Sequence, residues 1–99
     1  MAVKGRQLQL TPLAEFDLED IWRYTAERGS HGQADHCHRD LIETMEALAR
    51  GDKVGRSCVV RDGYFRYAVN SHVVFYRESD YTLDVIRILH QRMDIERHL

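Results

Sequence analysis

The sequence predicts an α+β domain with the element order β-α-α-β-β-β, in which a helical hairpin packs on a mostly antiparallel sheet. Two runs near the C-terminus, residues 71–77 and 84–94, are dense in β-branched and aromatic residues and contain neither Gly nor Pro, which is typical of strands. The polar segment 78–82 between them has the length of a hairpin loop. Two long segments with helical periodicity precede them, joined by a short loop, and such helices pack antiparallel.

The first two elements are a short strand and a helix. Residues 6–11 alternate polar and apolar side chains, which predicts a half-buried strand. Thr11 then provides an N-cap and Pro12 the first helical position, where a missing N–H costs nothing. The helix is expected to end at Arg28, before Gly29. Its core-facing stripe follows helical spacing and consists of Ala14, Leu18, Ile21 and Thr25.

A second helix is expected from His31 to Arg50, where Gly51 ends it. Its apolar stripe consists of Ala34, Cys37, Leu41, Met45 and Leu48. Residues 51–62 form a polar, glycine-punctuated link, and residues 64–69 form the next strand. Asn70 tolerates the left-handed conformation that the following turn requires.

Regular alternation assigns the last strand two faces, one with Leu83, Val85, Arg87 and Leu89 and the other with Asp84, Ile86, Ile88 and His90. Both faces carry bulky apolar groups, so the final hairpin is expected to be central and covered. Arg77 and Arg87 are then expected to pair with acidic residues of the first helix, and the candidates are Asp17, Glu19 and Asp20.

Length and composition restrict the class of protein. The 99 residues form a single domain, residues 1–99, with an ordinary apolar fraction of 43%. No apolar run approaches the ~20 residues of a membrane helix, and no signal peptide is visible, so a cytoplasmic protein is expected. Cys37 and Cys58 lack framework spacing and are interpreted as free thiols. The net charge of -2 argues against a protein that coats nucleic acid through bulk electrostatics.

The sequence contains residues suited to two kinds of chemical site. The segment 35–38 reads Asp-His-Cys-His, but helical neighbours project about 100° apart and do not converge on one metal ion. A metal-independent ribonuclease needs a base, an acid and cations around the phosphate. Suitable side chains are Tyr64, Arg66, His72, Tyr76, Arg77, Arg87, His90 and Arg92. Strand alternation separates them, so no catalytic residue and no metal ligand is assigned.

Six segments of the sequence form a recognisable series: 10–14, 17–22, 55–58, 63–64, 71–77 and 85–94, the last ending in Leu-His-Gln-Arg-Met-Asp. In order and spacing they resemble the ParE toxins of the RelE/ParE superfamily, the toxin halves of type II toxin–antitoxin pairs. The family fold is the same β-α-α-β-β-β arrangement. The resemblance implies a non-enzymatic, cofactor-free inhibitor of DNA gyrase that blocks replication and stabilises cleaved DNA.

The resemblance also implies a ParD-type antitoxin that neutralises the toxin and connects the complex to DNA, so that contact with DNA is indirect. Two alternatives remain open. One is a ribosome-dependent mRNA endonuclease like those of the RelE branch. The other is an attenuated toxin that acts mainly as an antitoxin-binding co-repressor.

Candidate contact residues follow from exposure and charge. The cationic, amphipathic end of the chain is the expected gyrase surface, with Arg87, His90, Arg92, Met93 and Arg97 as its residues. The apolar side chains off the helix stripe, together with one departure from the family pattern, are the expected antitoxin contacts: Leu13, Phe16, Trp22 and Phe65. Phe65 stands where the family usually has Arg, and it is expected to place apolar character at the edge of the sheet. Asn70 stands where many members have Gly.

Overall fold

The computed structural model describes residues 5–93 and 95–99, so Asp94 of the closing Leu-His-Gln-Arg-Met-Asp string and residues 1–4 lie outside the described residues. It confirms the predicted α+β order and adds two short elements, a strand within the polar link and a C-terminal helical turn. The elements are β1 (Gln7–Leu10), α1 (Pro12–Arg28), α2 (His31–Arg50), β2 (Arg56–Ser57), β3 (Phe65–Val69), β4 (His72–Glu78), β5 (Thr82–His90) and α3 (Ile95–His98).

The five strands form one mixed sheet in the order β1-β5-β4-β3-β2. β1 pairs with β5 in parallel, and the remaining pairs are antiparallel. The prediction of a mostly antiparallel sheet is therefore confirmed. None of the helices formed by the described residues is long and apolar enough to cross a membrane.

The helical hairpin covers one face of the sheet and starts and stops where the sequence predicts. Thr11 and Ser30 cap the two helices through their side-chain oxygens, and Gly51 ends α2 in the left-handed conformation at φ 84°. The main core between helices and sheet includes Ala14, Leu41, Met45, Leu48, Val74, Tyr76, Leu83, Val85 and Ile88. The predicted stripe of each helix thus faces the core.

A second, smaller core lies on the opposite face of the sheet. Its buried side chains are Cys58, Val73, Phe75 and Leu89, and the partly buried Tyr64, Ile95 and Leu99 pack against them. Two of these covering residues belong to the C-terminal segment. The tail therefore folds back over the sheet and shields Phe75, which is fully buried.

The predicted alternation of β5 is wrong beyond Val85, because the strand contains a β-bulge. Phe75 pairs with Arg87 while Tyr76 pairs with Val85, so Ile86 is an extra residue. The bulge moves Ile88 into the main core and turns Leu89 to the opposite face. The Thr11 hydroxyl donates to the Ile86 carbonyl at 2.8 Å, which ties the start of α1 to the bulge.

Candidate partner-binding surfaces

One flank of α1 exposes large apolar side chains. Leu13 is 56% exposed and Phe16 is 58% exposed, as expected of the predicted antitoxin contacts. Tyr24, which the sequence analysis did not select, is 57% exposed and lies on the same side of the helix, eight residues after Phe16. In the sequence, Tyr24 follows Phe16 by about two helical turns, and this spacing is the signal that could have identified it. The described part of α1 therefore presents a patch of three apolar side chains, here called the α1 patch: Leu13, Phe16 and Tyr24.

Trp22 lies on the other flank of α1, about 180° around the helix from Leu13. Its indole N–H donates to Asp35 Oδ1 at 2.9 Å, and its ring lies 5.4 Å from that of His31. It lines a groove of about 460 Å³ between the two helices. The structure therefore does not bring Trp22 together with the other predicted antitoxin contacts.

Phe65 is not at the edge of the sheet, contrary to the expectation. It lies on β3, which is paired on one side with β4 and on the other with β2. Its ring stacks on that of Tyr76 at 5.7 Å, and it packs against the main core. The edge location was inferred without β2, whose two residues carry too little pattern to be recognised.

Three of the predicted gyrase contacts meet in a groove of about 820 Å³ at the open end of the β4–β5 hairpin, where β4 begins and β5 ends. His90, Arg92 and Met93 line it from the sheet side, and Tyr24 lines it from α1. Arg92 and Met93 are exposed. Tyr24 belongs to the α1 patch as well, so the patch and the groove are continuous.

A histidine pair forms the floor of this groove. His72 and His90 face each other across β4 and β5 with their rings edge to face at 5.3 Å. Burial, and next the nearby His90, lowers the pKa of His72 below its usual 6.5. His90 Nδ1 accepts from the Arg92 backbone N–H at 3.1 Å, which holds the following turn.

Arg87 is engaged inside the protein. Its Nε and Nη2 donate to the two carboxylate oxygens of Asp17 at 2.7 and 2.9 Å. Asp17 also accepts from the Ile88 backbone N–H at 3.0 Å, and this bidentate pairing raises the pKa of Arg87. A further contact from Nη1 to the His98 carbonyl, at 3.4 Å, links Arg87 to α3. The predicted pairing of Arg87 with an acid of the first helix is confirmed.

Arg77 does not pair with such an acid. It is exposed, and its guanidinium lies 5.8 Å from the centre of the Tyr64 ring. Arg97, the last predicted gyrase contact, is an exposed residue of α3. The prediction for Arg77 failed because alternation turns its side chain away from the helices.

The candidate ribonuclease side chains lie on both faces of the sheet. Tyr64, Arg66 and Arg77 lie on the face that carries the smaller core. Tyr76 and the histidine pair lie on the helix side, and burial raises the pKa of Tyr76 while its hydroxyl accepts from the Gly55 N–H at 2.8 Å. The eight side chains therefore do not converge as one set, and of them His72, His90 and Arg92 line the same groove. Within residues 5–93 and 95–99, no group of three or more His, Cys, Asp or Glu is arranged for a metal ion.

Comparison with known proteins matches most of the chain to one family. The family model described as "ParE toxin of type II toxin-antitoxin system, parDE" matches residues 8–95. Toxin ParE1 of Mycobacterium tuberculosis (strain ATCC 25618 / H37Rv) is 40% identical over 92 residues, which are 91% of this chain and 94% of that protein. Toxin ParE1 of Caulobacter vibrioides is also 40% identical over 92 residues, covering 92% of this chain and 95% of that protein.

Solved structures show the same fold at lower identity. A chain of the chromosomal ParDE toxin–antitoxin system from P. aeruginosa superimposes with a TM-score of 0.78 at 17% identity, covering 89% of this chain and 98% of that chain. A chain of the RelBE2 toxin–antitoxin complex from Mycobacterium tuberculosis gives 0.66 at 19% identity, covering 90% and 94%. These likenesses agree with a RelE/ParE-like α+β fold. From the family match and the two curated relatives, the chain belongs to the ParE toxins of type II toxin–antitoxin systems.

Proposed function

We propose that this toxin inhibits DNA gyrase in the cytoplasm, blocking replication and stabilising cleaved DNA, and that a ParD-type antitoxin neutralises it. The observation that carries the proposal is the match to the ParE family over residues 8–95, with two curated ParE1 toxins aligned over nearly their full length. Gyrase inhibition and pairing with ParD are the activities that the resemblance to this family implies.

The mechanism we propose is binding without catalysis. An acid–base ribonuclease needs its groups within hydrogen-bond reach of one phosphate. Here the sheet separates Tyr64 and Arg66 from the histidine pair, and the Tyr76 hydroxyl already accepts a hydrogen bond from Gly55. This geometry supports an inhibitor that acts through contact surface.

For the gyrase surface we propose the groove at the end of the β4–β5 hairpin and the adjoining tail. His90, Arg92 and Met93 line the groove, and we include Arg97 of the tail as an exposed residue of α3. Arg87 contributes through its contact with the His98 carbonyl, because its guanidinium is held by Asp17 and its side chain is only 17% exposed. Tyr24, Arg92 and Met93 line this groove, and Tyr, Arg and Met are enriched at protein-binding sites.

Supercoiling inhibition by variants tests this surface. Arg92→Gln and Met93→Ala are each expected to raise the inhibitory concentration about tenfold, which corresponds to about 1.4 kcal/mol at an interface. Arg39→Gln is the matched control, since Arg39 is an exposed arginine of α2 away from the groove. If the folded Arg92→Gln and Met93→Ala variants inhibit as strongly as the unchanged protein, the assignment of this surface is wrong. That result would not argue against gyrase inhibition itself.

For the antitoxin we propose contact with the α1 patch, with the Trp22 groove as a second site. Exposed apolar side chains grouped on one helix flank mark protein-binding surfaces, and a segment that folds on binding is able to cover both flanks of α1. Phe65 contributes indirectly, because its ring packs against the main core and stacks on Tyr76 of the neighbouring strand β4.

Calorimetric titration with a ParD-type antitoxin tests these contacts. The double change Leu13→Ala/Phe16→Ala is expected to weaken binding by about 2 kcal/mol or more, and Trp22→Ala by about 1 kcal/mol or more. Tyr81→Ala is the control, because Tyr81 is an aromatic residue with 73% exposure in the β4–β5 loop. If the Tyr81 variant loses as much affinity as the others, the assignment to α1 is wrong.

The competing activity is ribosome-dependent mRNA cleavage. Such a toxin would stop translation before any DNA damage appears, and removal of one or two Tyr or Arg side chains would abolish its activity. The gyrase inhibitor proposed here induces DNA damage first and loses activity gradually across its contact surface. An attenuated toxin would bind antitoxin and show neither effect.

A further inference from the structure

We propose that the face of the sheet opposite the helices binds a nucleic-acid strand directly through its phosphates. The residues that form this surface, here called the arginine face, are Arg56, Arg61, Arg66 and Arg77. The inference goes beyond the proposed function and does not depend on gyrase. It also differs from the expectation that contact with DNA is only indirect.

Register places two arginines of the arginine face directly opposite each other. Arg56 on β2 pairs with Arg66 on β3, and Arg66 pairs in turn with Phe75 on β4. Like charges at directly opposed positions of a sheet destabilise it. An external anion that neutralises both arginines removes this repulsion.

Aromatic rings hold the guanidinium groups on this face. Arg61 and Arg77 lie 5.7 and 5.8 Å from the centre of the Tyr64 ring, and Arg66 lies 5.8 Å from that of Phe75. Arginine stacked on a ring keeps a fixed orientation while its N–H groups remain able to bind an anion in a bidentate manner. The arginine face is therefore partly organised before a ligand arrives.

No nearby carboxylate in the described part of the chain forms an ion pair with the arginine face. Glu78, the neighbour of Arg77 along β4, forms an ion pair with Arg6 at 3.0 Å. Asp84 lies directly opposite Arg77 on β5, but the two side chains form no ion pair within 4.0 Å. Among the described residues, none of the four arginines has a carboxylate within 4.0 Å, although the whole chain has a net charge of -2.

A phosphodiester strand fits this arrangement better than a small anion or an acidic peptide. The arginines spread from the 58–63 loop across β2, β3 and β4, and adjacent strands are about 4.8 Å apart, so the charge is an array suited to a polyanion. The half-buried Tyr64 adds a ring on which a base stacks, and the combination of arginine with aromatic rings is typical of single-strand binding. An acidic peptide would bind the arginines but has no base to stack on the part of the Tyr64 ring that Arg61 and Arg77 leave exposed.

Fluorescence anisotropy with a labelled single-stranded oligonucleotide tests the proposal, using toxin freed from antitoxin and shown to be folded by circular dichroism. DNA and RNA of the same sequence distinguish the two sources of phosphate. If all four arginines contact phosphates, the logarithmic salt slope is about -2.8, so affinity falls about 50-fold between 50 and 200 mM salt. Binding of either strand with this slope supports the proposal, and no binding of either strand at 50 mM salt overturns it.

A charge-matched pair of variants locates the site. Arg56→Gln/Arg66→Gln is expected to weaken binding at least about tenfold at 50 mM salt and to reduce the salt-dependent loss to about sevenfold. Arg23→Gln/Arg39→Gln removes the same charge from exposed positions of the helices and is expected to leave both quantities nearly unchanged. Equal losses for the two variants overturn the assignment. Arginine-dependent binding of poly-glutamate, with no binding of either oligonucleotide, would assign the face to an acidic peptide.

Discussion

Replacing Asp17 is expected to be among the most destabilising single changes in the protein. Asp17 is 8% exposed, and its carboxylate accepts two hydrogen bonds from Arg87 and one from the Ile88 backbone N–H. Asp17→Ala leaves a charged guanidinium with 17% exposure and a buried N–H without this partner. Breaking a buried ion pair from one side costs about 3 to 5 kcal/mol, a large share of the roughly 5 to 15 kcal/mol that stabilises a domain.

Urea unfolding followed by circular dichroism measures this cost, and the melting temperature should fall by about 12 °C or more. Asp20→Asn, one turn further on α1 and exposed, is the control and should change stability by less than about 0.5 kcal/mol. In a double-mutant cycle, Arg87→Met is expected to recover part of the loss, because it removes the unpaired charge. A cost below about 1 kcal/mol for Asp17→Ala, or strict additivity with Arg87→Met, would refute the reasoning.

Three smaller effects are expected. Because the pKa of His72 is lowered in the folded protein, the unfolded chain takes up the proton more readily, and stability should fall as pH decreases below about 6.5. The His72→Gln substitution should flatten this part of the stability–pH profile. A profile that the substitution leaves unchanged would contradict the assignment. Tyr76→Phe removes the acceptor for the Gly55 N–H and should lower the free energy of unfolding in urea by about 1 kcal/mol. Gly55→Ala should lower it more, because the added Cβ would overlap the Tyr76 hydroxyl. A larger loss of stability for Tyr76→Phe than for Gly55→Ala would contradict this contact. Asn70 has φ 55°, in the left-handed region. Asn70→Gly should therefore leave stability nearly unchanged, whereas Asn70→Ala should reduce it by about 1 kcal/mol or more in thermal melts. Equal melting temperatures for the Gly and Ala variants would argue against the left-handed turn.

Periodicity predicted the helical hairpin and its packing, because both helices have regular geometry and side-chain caps. The stripe containing Ala14 and Leu18 faces the core as expected, and α1 and α2 end at Arg28 and Arg50 as expected. Local signals were sufficient there: an N-cap hydroxyl, a proline at the first position and a glycine after the last.

The surfaces could be predicted only in part, since they depend on long-range register. Alternation cannot reveal the bulge at Ile86, which reassigns the faces of the last residues of β5. The four members of the arginine face come from three strands and a loop, and only the pairing of β2 with β3 brings Arg56 opposite Arg66. Phe65 was placed at an edge for the same reason, because the strand that covers β3 has two residues.

The most direct test of the account is a purified assay of gyrase supercoiling and DNA cleavage with this toxin freshly released from its antitoxin. We predict loss of supercoiling, accumulation of cleaved DNA, and reversal of both effects when a ParD-type antitoxin is added back. Toxin that is folded and binds the antitoxin, yet leaves gyrase fully active while arresting translation in a cell-free system, would contradict the central claim.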